Sequence, residues 1–419
     1  MKKIIALVLS LILLTGCTGF ANKDSIMNLL SSPKLSKRES EIVTAIKEYL
    51  GQDIILKYPK KGANISPVQM SDLTGDGNED AVVLYSAPSS GGNVHIAVLS
   101  FDSERWQVIY ESEGYGSEVH SIDFVSLSEY TPYQIIIGYT FSDSSEKFMT
   151  VYTFNGIDEP NVQTQFCQDY MIYDVTGDGL SDLVLAGLNS DNKNTQLMVF
   201  SIGDDAKLSA IADKKLSVPN AHVTNISYSE NDFSNSKAIV VDYYDSYYRV
   251  ATLGVYFEDN KLKTILEPEI VQKHWAYDYS LNSMDVNNDG YLETASIIDD
   301  ETSRSDDIKL MEWTCFLKSE PIREYFGVCN ALAGIYFPLP DEWQNYIWLS
   351  GDEKNWKVTK TIDDTELVKF EQILYGEDFL LDENQRIVAS GTLQVKVTFD
   401  ESVSPQQQKY ICDGFMYIK

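Results

Sequence analysis

The stretch SDLTGDGNEDAVVLYS, residues 71–86, crowds acidic side chains into a glycine-containing turn and then runs directly into an apolar strand. Two later stretches repeat the arrangement. The three nine-residue loops are Asp72-Leu73-Thr74-Gly75-Asp76-Gly77-Asn78-Glu79-Asp80, Asp174-Val175-Thr176-Gly177-Asp178-Gly179-Leu180-Ser181-Asp182 and Asp285-Val286-Asn287-Asn288-Asp289-Gly290-Tyr291-Leu292-Glu293. Oxygen-bearing side chains stand at positions 1, 3, 5 and 9 of each loop, and glycine always stands at position 6. A Ca²⁺ ion takes six to eight hard oxygens, which a short loop supplies by wrapping around it, with a glycine at the sharp bend and a backbone carbonyl at position 7. Mutually repelling carboxylates become favourable when a cation neutralises them. The loops therefore read as up to three structural Ca²⁺ sites. An EF-hand would need a glutamate at position 12, where this chain has Val83, Leu185 and Ser296, and each loop runs into a strand-like segment, not a helix.

The spacing of the loops sets the architecture. Asp80, Asp182 and Glu293 close the three loops, and the halfway stretches near 119–140 and 222–244 keep a strand, loop, strand outline without the acids. With Gln134 and Lys237 as the equivalent positions there, successive units are separated by 54, 48, 55 and 56 residues. A steady period near 50 with about four short strands per unit is the signature of radially stacked sheets. The sequence predicts a mainly β chain, a β-propeller of about five to seven four-stranded blades. Ahead of it, Ser36 and Glu39 form a capping box for a helix with Ile42, Ile46, Tyr49 and Leu50 on one face and Gly51 at its end. The strand-like run at 53–58 is a candidate to pair with the last unit and close a ring. After residue 330 the acidic loop and the rhythm disappear. The expected divisions are a signal peptide at 1–16, a tether at 17–35, the propeller with its helix at 36–330, and a small β-rich or α+β domain at 331–419, part of which is an alternative sixth blade.

The loop pattern resembles the FG-GAP, or VCBS-type, repeats of integrin α-subunit propellers and many bacterial surface proteins. The resemblance covers about 260 residues and is specific at three loops. It implies a propeller with Ca²⁺ held between the first two strands of a blade. By position it places Asp72, Thr74, Asp76, Asn78 and Asp80 in the first site, Asp174, Thr176, Asp178, Leu180 and Asp182 in the second, and Asp285, Asn287, Asp289, Tyr291 and Glu293 in the third. Threonine at position 3 of the first two loops departs from the usual Asp or Asn. The acid-free units are expected to hold no ion.

The N-terminus, MKKIIALVLSLILLTGCTGF, has two lysines, an apolar run from Ile4 to Leu14 and then Leu14-Thr15-Gly16-Cys17. The run suits a signal peptide. Its end resembles a bacterial lipobox, which implies lipidation of Cys17 and anchoring to the outer face of the cytoplasmic membrane, in the cell envelope. The chain carries 33 Lys plus Arg against 63 Asp plus Glu, a formal charge of −30, which repels phosphate backbones and argues against a nucleic-acid partner. Cys167, Cys315, Cys329 and Cys412 are too few for a disulfide framework; Cys315 and Cys329 are spaced to close a hairpin-sized loop, and buried unpaired thiols fit equally well.

No nucleophile elbow, zinc-helix motif, phosphate-cradling loop or zinc-spaced Cys/His set is present, so no catalytic residue is assigned. The expected role is a protein- or glycan-binding scaffold, with a propeller enzyme acting on polysaccharide, a hydrolase or lyase, as the alternative. His95, His120, His222 and His274 are scattered, and the aromatic runs at 242–250 and 275–279 read as a binding face or as packing between sheets.

Overall fold

The computed structural model describes residues 35–418 apart from 130–133, 143–145, 157–158, 189–193, 204–205, 217, 219, 245–248, 267–271, 274–280, 299–307, 374–379 and 391–392. The expected signal peptide, Cys17, the tether up to residue 34, His274 and the aromatic run at 275–279 lie outside the described residues. So does the middle of the run at 242–250.

Helix α1, Lys37–Leu50, begins with the expected capping box: Ser36 Oγ accepts the Glu39 N–H at 3.2 Å, and Glu39 accepts the Ser36 N–H at 2.7 Å. It stops at Gly51, whose φ of 64° is the left-handed conformation that glycine adopts without strain. Ile42 and Ile46 are buried, whereas Tyr49 in the last turn stays 61% exposed beside a cavity between the helix and Arg105–Glu113.

The described strands form six antiparallel sheets. The first contains Val68–Ser71, Asp80–Ser86, His95–Asp102 and Arg105–Glu113. The second contains Glu118–Val125, Gln134–Thr140, Lys147–Thr153 and Asn161–Cys167, and the third Asp169–Tyr173, Asp182–Leu188, Thr195–Ile202 and Leu208–Lys215. The fourth is built on His222–Ser229, Ala238–Tyr244, Arg249–Glu258 and Lys261–Leu266, and the fifth on Thr294–Ile297, Ile308–Cys315, Ile322–Asn330 and Ile335–Pro338. Each of these five runs its main strands in chain order. Asp80, Gln134 and Asp182 open the second strand of their sheets, and Lys237 immediately precedes the second strand of the fourth. Glu293 immediately precedes Thr294–Ile297 of the fifth, where an isolated bridge between Met284 and Glu293 stands in place of a strand before the loop. Four of the five also carry a register shift between the last two strands of this run or at the equivalent hairpin, at Val98/Leu99, Val199/Phe200, Gly254/Val255 and Trp313/Thr314. Such bulges sharpen the local twist.

The sheets stack face to face in sequence. Val82, Leu84, Ile96 and Val98 of the first share a core with Ile122, Ile135 and Ile137 of the second. Ile136, Met149 and Val151 of the second meet Leu183 and Leu185 of the third. Val184 and Val199 of the third meet Ile239 and Val241 of the fourth. Residues of the second strands thus alternate between two buried faces, which is why these strands read as continuous apolar runs. The outer face of the first sheet, with Ala81, Val83, Ala97 and Leu99, is covered by Ile42 and Ile46 of α1.

One expectation is corrected, and of the two readings of the cysteines the unpaired one holds. The run at 53–58 joins the first sheet, not the last: Ile55 pairs with Ser86 and Leu56 with Tyr85. Val68–Ser71 reaches only as far as Val83 on that edge, so the backbone groups beyond it need another partner, and the Lys57 N–H donates to the Leu84 carbonyl at 2.8 Å. Cys315 and Cys329 are free and sit at opposite ends of paired strands, opposite Ile322 and Lys309 respectively. A six-residue offset along a strand is about 20 Å, far beyond disulfide reach.

The chain after Cys329 shares a core with the fifth sheet. Ile335–Pro338 and Met416–Tyr417 are strands of that sheet, so a boundary at 331 falls just ahead of one of its strands. The sixth sheet orders its strands as Ile347–Gly351, Asn355–Lys360, Glu366–Ile373, Leu393–Phe399, Gln385–Ser390, and so departs from the meander. Trp356, Val358, Phe370 and Val397 join Phe326, Val328 and Phe337 in one cluster, with Ile411 of helix α2, Pro405–Asp413.

Candidate metal centres

Each acidic loop is shaped by its own carboxylates. The position-1 acid gathers N–H groups from across the loop: Asp72 accepts from Gly75 and Gly77 at 2.8 and 3.0 Å, Asp174 from Gly177 and Gly179 at 2.7 and 2.9 Å, and Asp285 from Asp289 and Gly290 at 3.1 and 2.9 Å. The position-5 acid accepts from the N–H two residues on, Asp76 from Asn78, Asp178 from Leu180 and Asp289 from Tyr291, at 2.7, 2.8 and 3.0 Å. Gly77, Gly179 and Gly290 have φ of 86°, 89° and 90°, a bend that a side chain at position 6 would strain.

Position 9 is buried. Asp80, Asp182 and Glu293 are 0, 1 and 0% exposed. One oxygen of each accepts the N–H of the residue seven positions earlier, from Leu73, Val175 and Val286, all at 2.9 Å. In the first loop, Asp80 Oδ1 and Thr74 Oγ1 are buried without a hydrogen-bond partner, and so is Glu293 Oε1 in the third. A buried acceptor left unpaired costs about 1–3 kcal/mol, more when charged. Burial pushes the Asp182 carboxyl up to about 6 and the Glu293 carboxyl up to about 7. Unpartnered oxygens and carboxyls held against their charge are what a bound cation would relieve, so the residues fit Ca²⁺.

The two acid-free units keep the position-9 tether with different chemistry. In the second, Gln134 Oε1 accepts the Leu127 N–H at 2.6 Å, again seven residues back. Its amide does the structural work of Asp80 with no charge to neutralise. In the fourth, Lys237 pairs with Glu230, seven residues back, so an ammonium of the chain stands beside the acid at the equivalent spacing.

The three loops are not equivalent. Among the described residues, one group of three carboxylates has oxygens mutually within 4.8 Å: Asp289, Glu293 and Glu324. Asp289 and Glu293 come from the third loop, and Glu324 from the neighbouring strand Ile322–Asn330. Asp72, Asp76 and Asp80 do not converge this closely, nor do Asp174, Asp178 and Asp182; the third group is completed by Glu324, which comes from outside its loop. Lys318 enters the third cluster, with Nζ 2.8 Å from Asp289 and 3.0 Å from Glu324. These two hydrogen bonds raise the Lys318 pKa. Partial burial opposes the charge on Asp289, but the ammonium more than offsets it, and the net shift is downward. Tyr291 lies under the same ammonium, 5.0 Å from Nζ to the ring centroid, and donates its hydroxyl to Asp232 at 2.8 Å. Sequence spacing does not reveal Glu324, Lys318 or Asp232, since all three reach the loop through pairing of distant strands and turns.

The histidines stand apart from these loops. His95 Nδ1 is 2.7 Å from Glu111, which also accepts the Tyr85 hydroxyl at 2.8 Å. Burial lowers His120 to about 4 and also lowers His222. Among the described residues no helix is long and apolar enough to cross a membrane. No family model matches the chain, and no curated protein matches it.

Proposed function

We propose that this chain is a lipid-anchored protein of the bacterial cell envelope, a calcium-stabilised β-propeller of the FG-GAP type that acts as a scaffold for a protein or glycan ligand. In this reading the five meander sheets are blades, α1 covers the outer face of the first, and Ca²⁺ occupies the acidic loops. The observation that carries it is the buried position-9 carboxylate, one oxygen tied to the loop and the other, in Asp80 and Glu293, without a partner. Sites of this type outside the cell bind with dissociation constants on the order of 10⁻⁴ to 10⁻³ M, so the ion stabilises the fold where Ca²⁺ is abundant.

A cavity of about 760 Å³ gives the scaffold a place for a ligand. It opens between Thr176 and Gly177 of the second loop, the turn Asn231–Ser236, and Glu258 and Asp259. Phe233, 45% exposed, offers an apolar face among polar groups, a mixture suited to a sugar ring or a peptide side chain. Tagged protein in native envelopes is expected to retain a partner in Ca²⁺ and to release it in EDTA or on Phe233→Ala. Retention that ignores both, or turnover of a polysaccharide by the purified chain, would replace the scaffold reading.

The anchor has its own test. Cys17→Ala is expected to shift the protein from the membrane pellet to the soluble fraction, because the acyl chains supply nearly all of its membrane affinity and a charge of −30 supplies none. A Cys17→Ala protein that still pellets would remove the lipid anchor from the account.

A further inference from the structure

We propose that Lys318 is a built-in counter-cation of the third loop, which a divalent ion must displace to bind, and that Glu324 then completes the site from outside the loop. This rests on the calcium reading above and concerns the third loop alone. The cluster holds three carboxylates within 4.8 Å of one another. Glu293 is fully buried, with Oε2 tied to the Val286 N–H and Oε1 unpartnered. Such an arrangement requires positive charge. Lys318 Nζ supplies part of it, bonded to Asp289 and Glu324 and only 18% exposed in its side chain, but it leaves Glu293 Oε1 without a partner.

An ammonium is one charge with hydrogen-bond donors, whereas Ca²⁺ is two charges that accept six to eight oxygens. The two cannot share the same carboxylates. Binding therefore exchanges one for the other, and Asp289 and Glu324, which now hold the lysine, turn to the ion. The fourth unit shows the lysine-only form of the same solution, with Lys237 on Glu230. The other two acidic loops have a different balance: among the described residues no lysine bonds to Asp76 or Asp178, whereas the position-1 acid is committed to backbone N–H groups in all three. The exchange makes the third site the weaker of the three until the lysine is removed. It also ties ion binding to the turn carrying Lys318, whose next residue, Ser319, donates its N–H and hydroxyl to Asp232 at 2.8 and 3.1 Å.

The test uses Tb³⁺ as the probe, excited through tyrosine, with the full-length chain in detergent. Tyr291 at position 7 places a sensitiser in the third loop, and an Asp76→Ala, Asp178→Ala background silences the other two. In that background Lys318→Met is expected to lower the half-saturating Tb³⁺ concentration roughly tenfold, and Glu324→Gln to raise it by about the same factor, the equivalent of one partly buried ion pair in each direction. Misfolding weakens binding and does not tighten it, so a gain with Lys318→Met reports the exchange itself. Unchanged or weaker binding in Lys318→Met, unchanged binding in Glu324→Gln, or no Tb³⁺ signal in any of them overturns the proposal. The calcium reading is judged separately, by the first two loops in the otherwise unaltered chain.

Discussion

Chelating Ca²⁺ is expected to lower the melting temperature of this protein by about 10 °C, and restoring millimolar Ca²⁺ to return it. An ion that binds only the folded state stabilises by RT ln(1 + [L]/Kd), about 1.4 kcal/mol per site at ten times the dissociation constant. Three sites supply roughly 4 kcal/mol, and a domain of this size moves by about 2–4 °C per kcal/mol. Asp76→Ala, Asp178→Ala and Asp289→Ala should each remove part of the Ca²⁺-dependent shift. The quantity to compare is the difference between Ca²⁺ and EDTA within one variant. Each of these acids also accepts a backbone N–H two residues on, and its loss costs stability in both conditions. Asp289→Ala has the smallest Ca²⁺-dependent effect if Lys318 already neutralises part of its loop. A melting temperature identical in EDTA and Ca²⁺ would end the calcium account and leave the loops as Asp-Gly turns held by their own hydrogen bonds.

Most of the sheet layout was legible in the sequence, for a simple physical reason. The position-9 residue stands at or just before the start of the strand that follows the loop, and in four of the five units it ties the loop seven residues back, so it recurs at the repeat length whatever its chemistry. Gln134 keeps the tether as an amide, and Lys237 keeps the spacing as an ammonium. A pattern search for acids alone sees three units, and one for strand rhythm sees five. What stayed hidden depends on packing across the repeats. The pairing of Ile55 and Leu56 with the first sheet follows from how short Val68–Ser71 is, which the apolar pattern around it does not reveal. The sixth sheet has lost both the loop and the strand order, so nothing in its period marks it as stacked on the fifth. Glu324 and Lys318 look like ordinary surface charges until strand pairing sets them beside Asp289.

Asp242→Ala is expected to cost about 3–5 kcal/mol, enough to lower the melting temperature by about 10 °C or to prevent folding. In the sequence this residue is one more polar position in an aromatic run. In the fold it is fully buried and accepts four hydrogen bonds, from Thr252 Oγ1 at 2.7 Å, Ser283 Oγ and Ser283 N–H at 2.8 Å each, and Asn225 Nδ2 at 3.1 Å. Ser283 stands two residues before the third acidic loop, so Asp242 fastens the fourth sheet to the approach to that loop. Alanine strands donors in two buried residues, Thr252 and Ser283, and opens a polar void. Asp242→Asn keeps one acceptor but turns an NH₂ toward the same donors, and should cost roughly half as much. Burial raises the Asp242 carboxyl above its ordinary value, with the four hydrogen bonds pulling it back in part. A raised folded pKa means that the folded chain takes up the proton first. The contribution is complete below the unfolded value of about 3.9 and is lost as pH rises through the folded one. The stability gap between the native chain and Asp242→Asn should therefore widen as the pH falls from neutral toward about 4; a gap that is constant, or that narrows on acidification, would show the carboxylate's charge to be fully compensated where it lies. In Asp242→Ala the share of the Ca²⁺-dependent shift that Asp289→Ala removes should already be gone, because the loop that would hold the ion has lost its fastening.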